Sequence, residues 1–166
     1  MHQKSIEEAK KRLFRGELVI FPTETVYGIG GNANNHKSIE QIYKTKNRPI
    51  SNPLICHFAN IREIEKNFIL TDKDYELANT FWPGPLTLIL EKNKSSMISP
   101  LLSNNKKHVG CRIPNNEIIL SLLSILDFPI AAPSANIATR TSVTSIKDLD
   151  YKLKEIFYID GGSSVL

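Results

Sequence analysis

Leu18-Val19-Ile20-Phe21-Pro22-Thr23-Glu24-Thr25 sets four consecutive apolar residues against a proline and a polar triplet. Four such residues bounded by a breaker read as a short buried strand, and Pro22 halts it because it has no N–H to continue the ladder. The same design returns three times. Lys46-Asn47-Arg48-Pro49 follows a helical stretch, Cys111-Arg112-Ile113-Pro114 closes an apolar run, and Pro133-Ser134-Ala135-Asn136 follows Ile130-Ala131-Ala132. In an open α/β sheet the ligand crevice lies where strands end, so these polar clusters are candidates for one shared site. Two of them carry cations and two carry hydroxyl or amide groups. That mixture suits a ligand bearing both phosphates and a carboxylate.

Working outward, Ser5 followed by Glu8 reads as a capping box for a helix with Ile6, Ala9, Leu13 and Phe14 on one face, ending at Gly16. The segment 23–35, rich in Gly, Thr and Asn, reads as a loop with a short strand near Val26. A helix over 38–44 places Ile39, Ile42 and Tyr43 inward. Further strands are expected at 53–58, 86–90, 109–113, 130–132 and 157–160. Helices are expected from Thr71 to the Trp82-Pro83 break, over 117–126 with Asn115 or Asn116 as cap, and around 149–156. The polar stretch 95–107 reads as an exposed loop. Alternating strands and helices argue an α/β fold. The direct succession of 86–90 by 109–113 makes the expected sheet mixed, parallel and antiparallel, twisted and open, with flanking helices.

At 166 residues the chain is sized for a single domain, 1–166, with 41% hydrophobic and 23% charged residues. No apolar run is long enough to span a bilayer, and the start shows no signal-peptide core, so a cytoplasmic location without membrane attachment is expected. The net charge of +4 is modest, and its scattered lysines read as solvated surface. Cys56 and Cys111 stand alone within strand-like segments and read as buried, inert thiols. Neither the cysteines nor the histidines show metal-ligand spacing, so no protein-bound metal is expected. Gly28-Ile29-Gly30-Gly31 lacks the dinucleotide-binding spacing, and there is no phosphate-loop lysine motif or hydrolase triad.

Each cluster has a plain structural reading beside the functional one. Lys46 and Arg48 at i and i+2 would share a side in extended backbone and could hold a phosphate chain; equally, they are a basic helix C-terminus. Ser134 and Asn136 could contact a nucleotide across small residues, or form a polar turn. Glu24 could be a base, but an isolated Glu near a strand end is more often an ion-pair partner. Arg112, inside an apolar strand, needs an anion. With no acidic residue near it in sequence, a carboxylate receptor is favoured over a structural salt bridge. His57, in another apolar strand, reads on its own as a satisfied core histidine.

At these residues the chain resembles the YrdC/TsaC family of threonylcarbamoyl-AMP synthases. The matching text is Phe21-Pro22-Thr23-Glu24-Thr25-Val26-Tyr27-Gly28, Lys46-Asn47-Arg48-Pro49 with Asn52-Pro53-Leu54, Phe81-Trp82-Pro83-Gly84-Pro85-Leu86-Thr87, Arg112-Ile113-Pro114 and Ala132-Pro133-Ser134-Ala135-Asn136. The resemblance implies a twisted mixed sheet with a basic concave face. It also implies conversion of L-threonine, bicarbonate and ATP to threonylcarbamoyl-AMP and pyrophosphate, for threonylcarbamoyladenosine modification of tRNA. Other proteins would perform the transfer, and the basic face leaves room for tRNA contact. Carried over by motif, Lys46, Arg48, Ser134, Asn136 and Ser142 would hold ATP, with Lys46 and Arg48 also assisting the chemistry. Thr23, Arg112 and His57 would form the threonine pocket, and Mg2+ would accompany the nucleotide. The family's S-G-x-x-S-P-T run appears here as Ala138-Thr139-Arg140-Thr141-Ser142-Val143-Thr144, where Ser142 and Thr144 match. Members usually continue past the final Gly161-Gly162-Ser163-Ser164-Val165-Leu166 through a strand with an ATP-binding arginine. The competing expectation is a noncatalytic RNA-binding module of the same fold, although no aromatic residues are interleaved with the basic ones.

Overall fold

A computed structural model describes residues 2–137 and 141–164, so Ala138, Thr139 and Arg140 of the matched run, with Met1 and 165–166, lie outside the described residues. The elements run α1 (His2–Phe14), β1 (Val19–Phe21), β2 (Gly28–Asn32), α2 (His36–Lys46), β3 (Ile55–His57), α3 (Ile61–Glu65), β4 (Phe68–Ile69), α4 (Asp72–Phe81), β5 (Leu88–Lys92), β6 (His108–Arg112), α5 (Glu117–Ser124) and β7 (Ile130–Ala131). They build a seven-stranded sheet in the order β1-β2-β7-β3-β6-β5-β4. The pair β3–β6 is parallel, and the remaining named pairs are antiparallel. The expected mixed α/β sheet is what the chain forms.

Helices cover the sheet through two apolar layers. Ile6, Ala9 and Leu13 of α1 and Ile119, Leu122 and Leu123 of α5 pack over Val19, Phe21, Ile130 and Ala132. Ile39, Ile42 and Tyr43 of α2 pack on the opposite face with Ile20, Ile29, Cys56 and Cys111. Over β5 one face stays open: Ile89 is 67% exposed between buried Leu88 and Leu90. That period-two contrast marks a strand with one solvated side.

Asparagines and threonine set the helix starts. The Asn35 side chain accepts from the Lys37 and Ser38 amides, and Asn116 accepts from Ile118 and Ile119. Thr71 and Asp74 form a reciprocal capping box at α4. The Ser5 capping box does not form, because α1 already runs through His2–Lys4 and Ser5 lies inside it. Gly16 ends that helix at φ 81, a conformation open to glycine at little cost.

The glycine-rich segment expected to be mostly loop is instead strand β2. Its glycines are packing devices. A Cβ on Gly30 would lie 2.5 Å from Ile130 Cγ2 and 2.8 Å from the Phe21 ring, so only a bare backbone lets β1, β2 and β7 close up. Other expectations also shift. The stretch 95–107 contains a 3-10 turn, Pro100–Ser103, that buries Leu102. The helix expected around 149–156 is only a short 3-10 turn, Tyr151–Leu153. The strand expected at 157–160 is reduced to a bridge between Ile20 and Tyr158, with Ile20 N donating to Phe157 O and Ile159 N to Ile20 O. Cys56 and Cys111 are buried free thiols, as expected.

Gly30→Ala should therefore destabilise the fold by about 1–3 kcal/mol through overpacking, read as a lower urea midpoint with unchanged slope. An unaltered midpoint would show that β2 can move away from β7 at no cost.

Candidate functional site

A cavity of about 320 Å³ opens at the strand ends and is lined by Thr23, Arg48, His57, Arg112 and Ser134 among others. Five of the expected site residues, contributed by distant parts of the chain, thus share one crevice. The parallel register places His57 opposite Arg112, so both side chains emerge on the cavity side while Cys56 and Cys111 pair beneath them.

Arg112 has an acidic partner after all. Its side chain is 11% exposed, and one Nη2 lies 2.6 Å from Glu24 Oε1. Its Nε donates to Gly84 O at 3.1 Å and the same Nη2 reaches Thr25 Oγ1 at 3.5 Å. The argument that favoured a carboxylate receptor for want of a nearby acid is overturned, because Glu24 arrives through the fold and not through the local sequence. Burial raises the Glu24 carboxyl. The hydrogen bond from Arg112, backbone amides at Asn115 and Glu24, and the Arg112 charge outweigh it and hold the group below its usual range. Glu24 is therefore an ionised counterion and a poor general base.

His57 is 4% exposed, stacks edge-on to Phe21 at 6.4 Å, and its Nδ1 meets no hydrogen-bond partner among the described residues. Burial first, and the Arg112 charge second, push its pKa from 6.5 down to about 4. It is a neutral imidazole at physiological pH, with an unengaged nitrogen beside a guanidinium.

The Thr23 hydroxyl is committed to its own turn. Oγ1 donates to Val26 O at 2.6 Å and accepts from the Thr25 and Val26 amides. Thr25, which the sequence reading passed over, also lines the cavity and stands nearer Arg112. Its signal was the T-x-T spacing at a strand end. Tyr27 was missed as well: its hydroxyl donates to Gly162 O and accepts from Gly161 N, while Ser164 Oγ donates to Thr23 O. The 161–164 segment thereby braces the turn that carries Thr23, Glu24 and Thr25.

Lys46 and Arg48 do not converge from an extended segment. Lys46 is the last residue of α2, and Asn47 caps the helix in the left-handed region at φ 51. That reversal sends Lys46 inward and Arg48 to the cavity. Arg48 is half-buried, its Nε donating to Asn52 O and its Nη2 to Pro53 O, which leaves the rest of its fork facing the crevice. Lys46 is not part of the cavity lining. It is 2% exposed, and its ammonium donates to the carbonyls of Ser134, at 2.5 Å, and Asn136. Burial, and then the Arg48 charge, lower its pKa to about 8. Ser134 lines the cavity and its Oγ bonds to Asn136 Oδ1. Ser142 is exposed and does not reach the lining.

The profile of the Sua5/YciO/YrdC family, described as "Telomere recombination", matches residues 11–165. The chain belongs to this family. Among its relatives, the threonylcarbamoyl-AMP synthase of Pyrococcus abyssi is 41% identical over 96% of this chain and 48% of its own length. That of Bacillus subtilis is 42% identical over 95% of this chain and 46% of its own length. The solved structure of P. abyssi Sua5 complexed with L-threonine superposes with a TM-score of 0.88 at 38% identity, covering 99% of this chain and 48% of that one. The chain thus spans about half the length of these relatives. Escherichia coli YciO shares the fold, with a TM-score of 0.82 at 23% identity over 99% of this chain and 80% of that one.

The depressed His57 pKa has a stability consequence. Between pH 6.5 and about 4 the unfolded chain takes up a proton on this ring that the folded chain refuses, so stability falls as pH falls through that window. The contribution is on the order of 3 kcal/mol, and below the folded pKa it changes no further. His57→Gln should flatten this part of the acid limb in urea titrations at a series of pH values. Parallel slopes for the two proteins would show that another group carries it.

Proposed function

We propose that this chain synthesises L-threonylcarbamoyl-AMP from L-threonine, bicarbonate and ATP, releasing pyrophosphate, for threonylcarbamoyladenosine modification of tRNA. The observation that carries the reading is the single crevice joining a buried His57–Arg112 pair to Arg48 and Ser134, in a chain similar to a Sua5 structure complexed with L-threonine. Arg112 offers the remainder of its fork to the threonine carboxylate, and neutral His57 lines the same side of the cavity. Thr23 and Thr25 close that side of the pocket. Ser134 orients the nucleotide with Asn136 bonded to its hydroxyl from behind, Arg48 stands where charge grows on the departing pyrophosphate, and Ser142 stands outside this crevice.

The chemistry then follows from positions. The neutral threonine amine attacks the bicarbonate carbon, the C–OH bond breaks, and the hydroxyl leaves as water with one amine proton, giving the carbamate. A carbamate oxygen attacks the α-phosphorus, and the bond to pyrophosphate breaks. Positioned cations and alignment of attacking and leaving oxygens lower such a barrier without a strong acid or base. The described residues bring together no group of three or more His, Cys, Asp or Glu side chains suited to a metal ion, so the donor set does not fit a protein-held Mg2+. We assign the ion to the phosphates of the nucleotide. No described helix is long and apolar enough to cross a membrane, and we place the reaction in the cytoplasm, ahead of separate threonylcarbamoyl-transfer proteins and with tRNA contact on the basic face.

Purified protein should release pyrophosphate from ATP only when threonine and bicarbonate are both present; release independent of threonine would sink the reading. Arg112→Ala should raise the threonine KM by the equivalent of about 2–5 kcal/mol while changing the ATP KM little. Removing Arg112 also strands buried Glu24, so the double variant Arg112→Met with Glu24→Gln separates binding from stability. Equal losses for both substrates in the double variant would remove Arg112 from the threonine pocket.

A further inference from the structure

The end of β6 borders two cavities. Arg112 lines the crevice, while its neighbour Ile113 lines a separate cavity of about 230 Å³ that shares no lining residue with it. Successive residues at a strand end point to opposite sides, so the two spaces lie back to back. The second cavity is completed from the start of α3, with Asn60 and Ile61, and from the end of α4, with Asn79, Trp82 and Pro83.

This lining selects an uncharged guest. No charged side chain takes part in it, so an ion entering would give up water without meeting a counter-charge. Trp82 supplies ring surface and is pinned, because its Nε1 donates to Leu86 O at 2.7 Å. Such a wall favours an aromatic guest, by stacking or edge contact. Two amides add polar handles. Asn60 Oδ1 accepts from Glu63 N, which leaves its NH2 group to donate, and the exposed Asn79 amide meets no partner among the described residues. A planar guest bearing a carboxamide or lactam can satisfy both. The volume is below that of pockets for drug-sized molecules and suits one or two rings.

One turn joins this cavity to the guanidinium. Gly84 N donates to Ile113 O at 2.8 Å, and Gly84 O accepts from Arg112 Nε at 3.1 Å. The turn has little slack, since a Cβ on Gly84 would lie 2.3 Å from Phe81 O. A guest that shifts Trp82 or Pro83 therefore shifts the oxygen that holds Arg112. We propose that this cavity is a second ligand site, for an uncharged heteroaromatic carboxamide or lactam, and that its occupancy is felt at Arg112 through the 82–84 turn. Its effect on threonine rests on the reading of Arg112 given above. By linkage, whatever factor the guest imposes on threonine affinity, threonine imposes on the guest.

Nicotinamide is the probe, titrated into the whole chain and followed by N–H correlation NMR. Trp82 is the sole tryptophan, so the indole cross-peak reports the cavity, and the Arg112 Nε–H cross-peak reports the coupling. Nicotinamide should shift both along one saturation curve with a Kd of about 10 mM or tighter, as so small a ligand allows. Nicotinate, of the same shape but anionic, and cyclohexanecarboxamide, without the aromatic ring, should each bind about fivefold more weakly or worse. Asn79→Ala, at an exposed position of α4, should weaken nicotinamide about fivefold at both cross-peaks while the rest of the spectrum stays as in wild type. No saturable shift at Trp82, or full affinity in Asn79→Ala, would overturn the site. Equal binding of nicotinate or cyclohexanecarboxamide would overturn the ligand class, and a Trp82 shift with Arg112 Nε unmoved would overturn the coupling. These shifts are read without threonine. Threonine that binds yet leaves the nicotinamide Kd unchanged also overturns the coupling, whereas threonine that does not bind at all removes the reading of Arg112 and leaves the site standing.

Discussion

The register of one parallel strand pair governs this site. With Cys56 opposite Cys111, His57 must stand opposite Arg112, and a slip of one residue would exchange the thiols for the imidazole and guanidinium. The apolar pair goes into the packed layer and the polar pair into the crevice. Once a guanidinium is set in a nearly buried position, it needs a counterion, because an unpaired charge there costs several kcal/mol. Glu24 meets that need at 2.6 Å. The turn bearing Glu24 is in turn closed by the Thr23 hydroxyl and braced by Tyr27 and Ser164, so a register decided in the core is felt at the far end of the chain.

Much of this was legible in the sequence where physics is local. Apolar runs ended by proline marked β1, β6 and β7, an apolar run opened by Pro53 marked β3, and Thr71, Asn116 and the residues after them marked helix starts. The extent of β2 was not legible: a short strand was expected near Val26, but β2 begins at Gly28, because glycine lowers strand propensity for reasons of chain entropy, while here it is required by the closeness of Ile130 and Phe21. The short pieces α3 and β4 are too brief to show a period. The helix expected near 149–156 had apolar residues at workable spacing but collapsed to a single short turn, and the C-terminal strand pairs at only one bridge.

The site divides along the same line. Polar residues ending strands or a helix brought Thr23, Arg48, Arg112 and Ser134 forward as candidates, while His57 read as a core histidine and joined them only through the family resemblance; the five line one cavity. What the sequence could not show was which charges meet. Glu24 reaches Arg112 across the sheet, and Thr25 was hidden behind its neighbour Thr23. The divergence of Lys46 from Arg48 turns on Asn47 alone. An asparagine tolerates the left-handed cap that a helix ending there requires, and that single φ of 51 reverses the direction of the next side chain. The i, i+2 rule holds only while the backbone stays extended.

These pairings give the crevice an uneven electrostatic character that bears on the proposed chemistry. On the side proposed for threonine the arginine is already neutralised by Glu24, and burial keeps His57 uncharged. A carboxylate arriving there meets oriented N–H groups more than net charge, which selects by geometry and leaves a simple anion with little long-range attraction. On the other side Arg48 is half-open to solvent and tied only to backbone carbonyls, so its charge is undiminished by any acid in contact with it. A polyphosphate, with several charges to compensate, is drawn to that side. Under the proposed function, one short crevice would thus sort a zwitterionic amino acid from a multiply charged nucleotide before either is aligned. The sorting would come from the Glu24 carboxylate that the fold sets against Arg112.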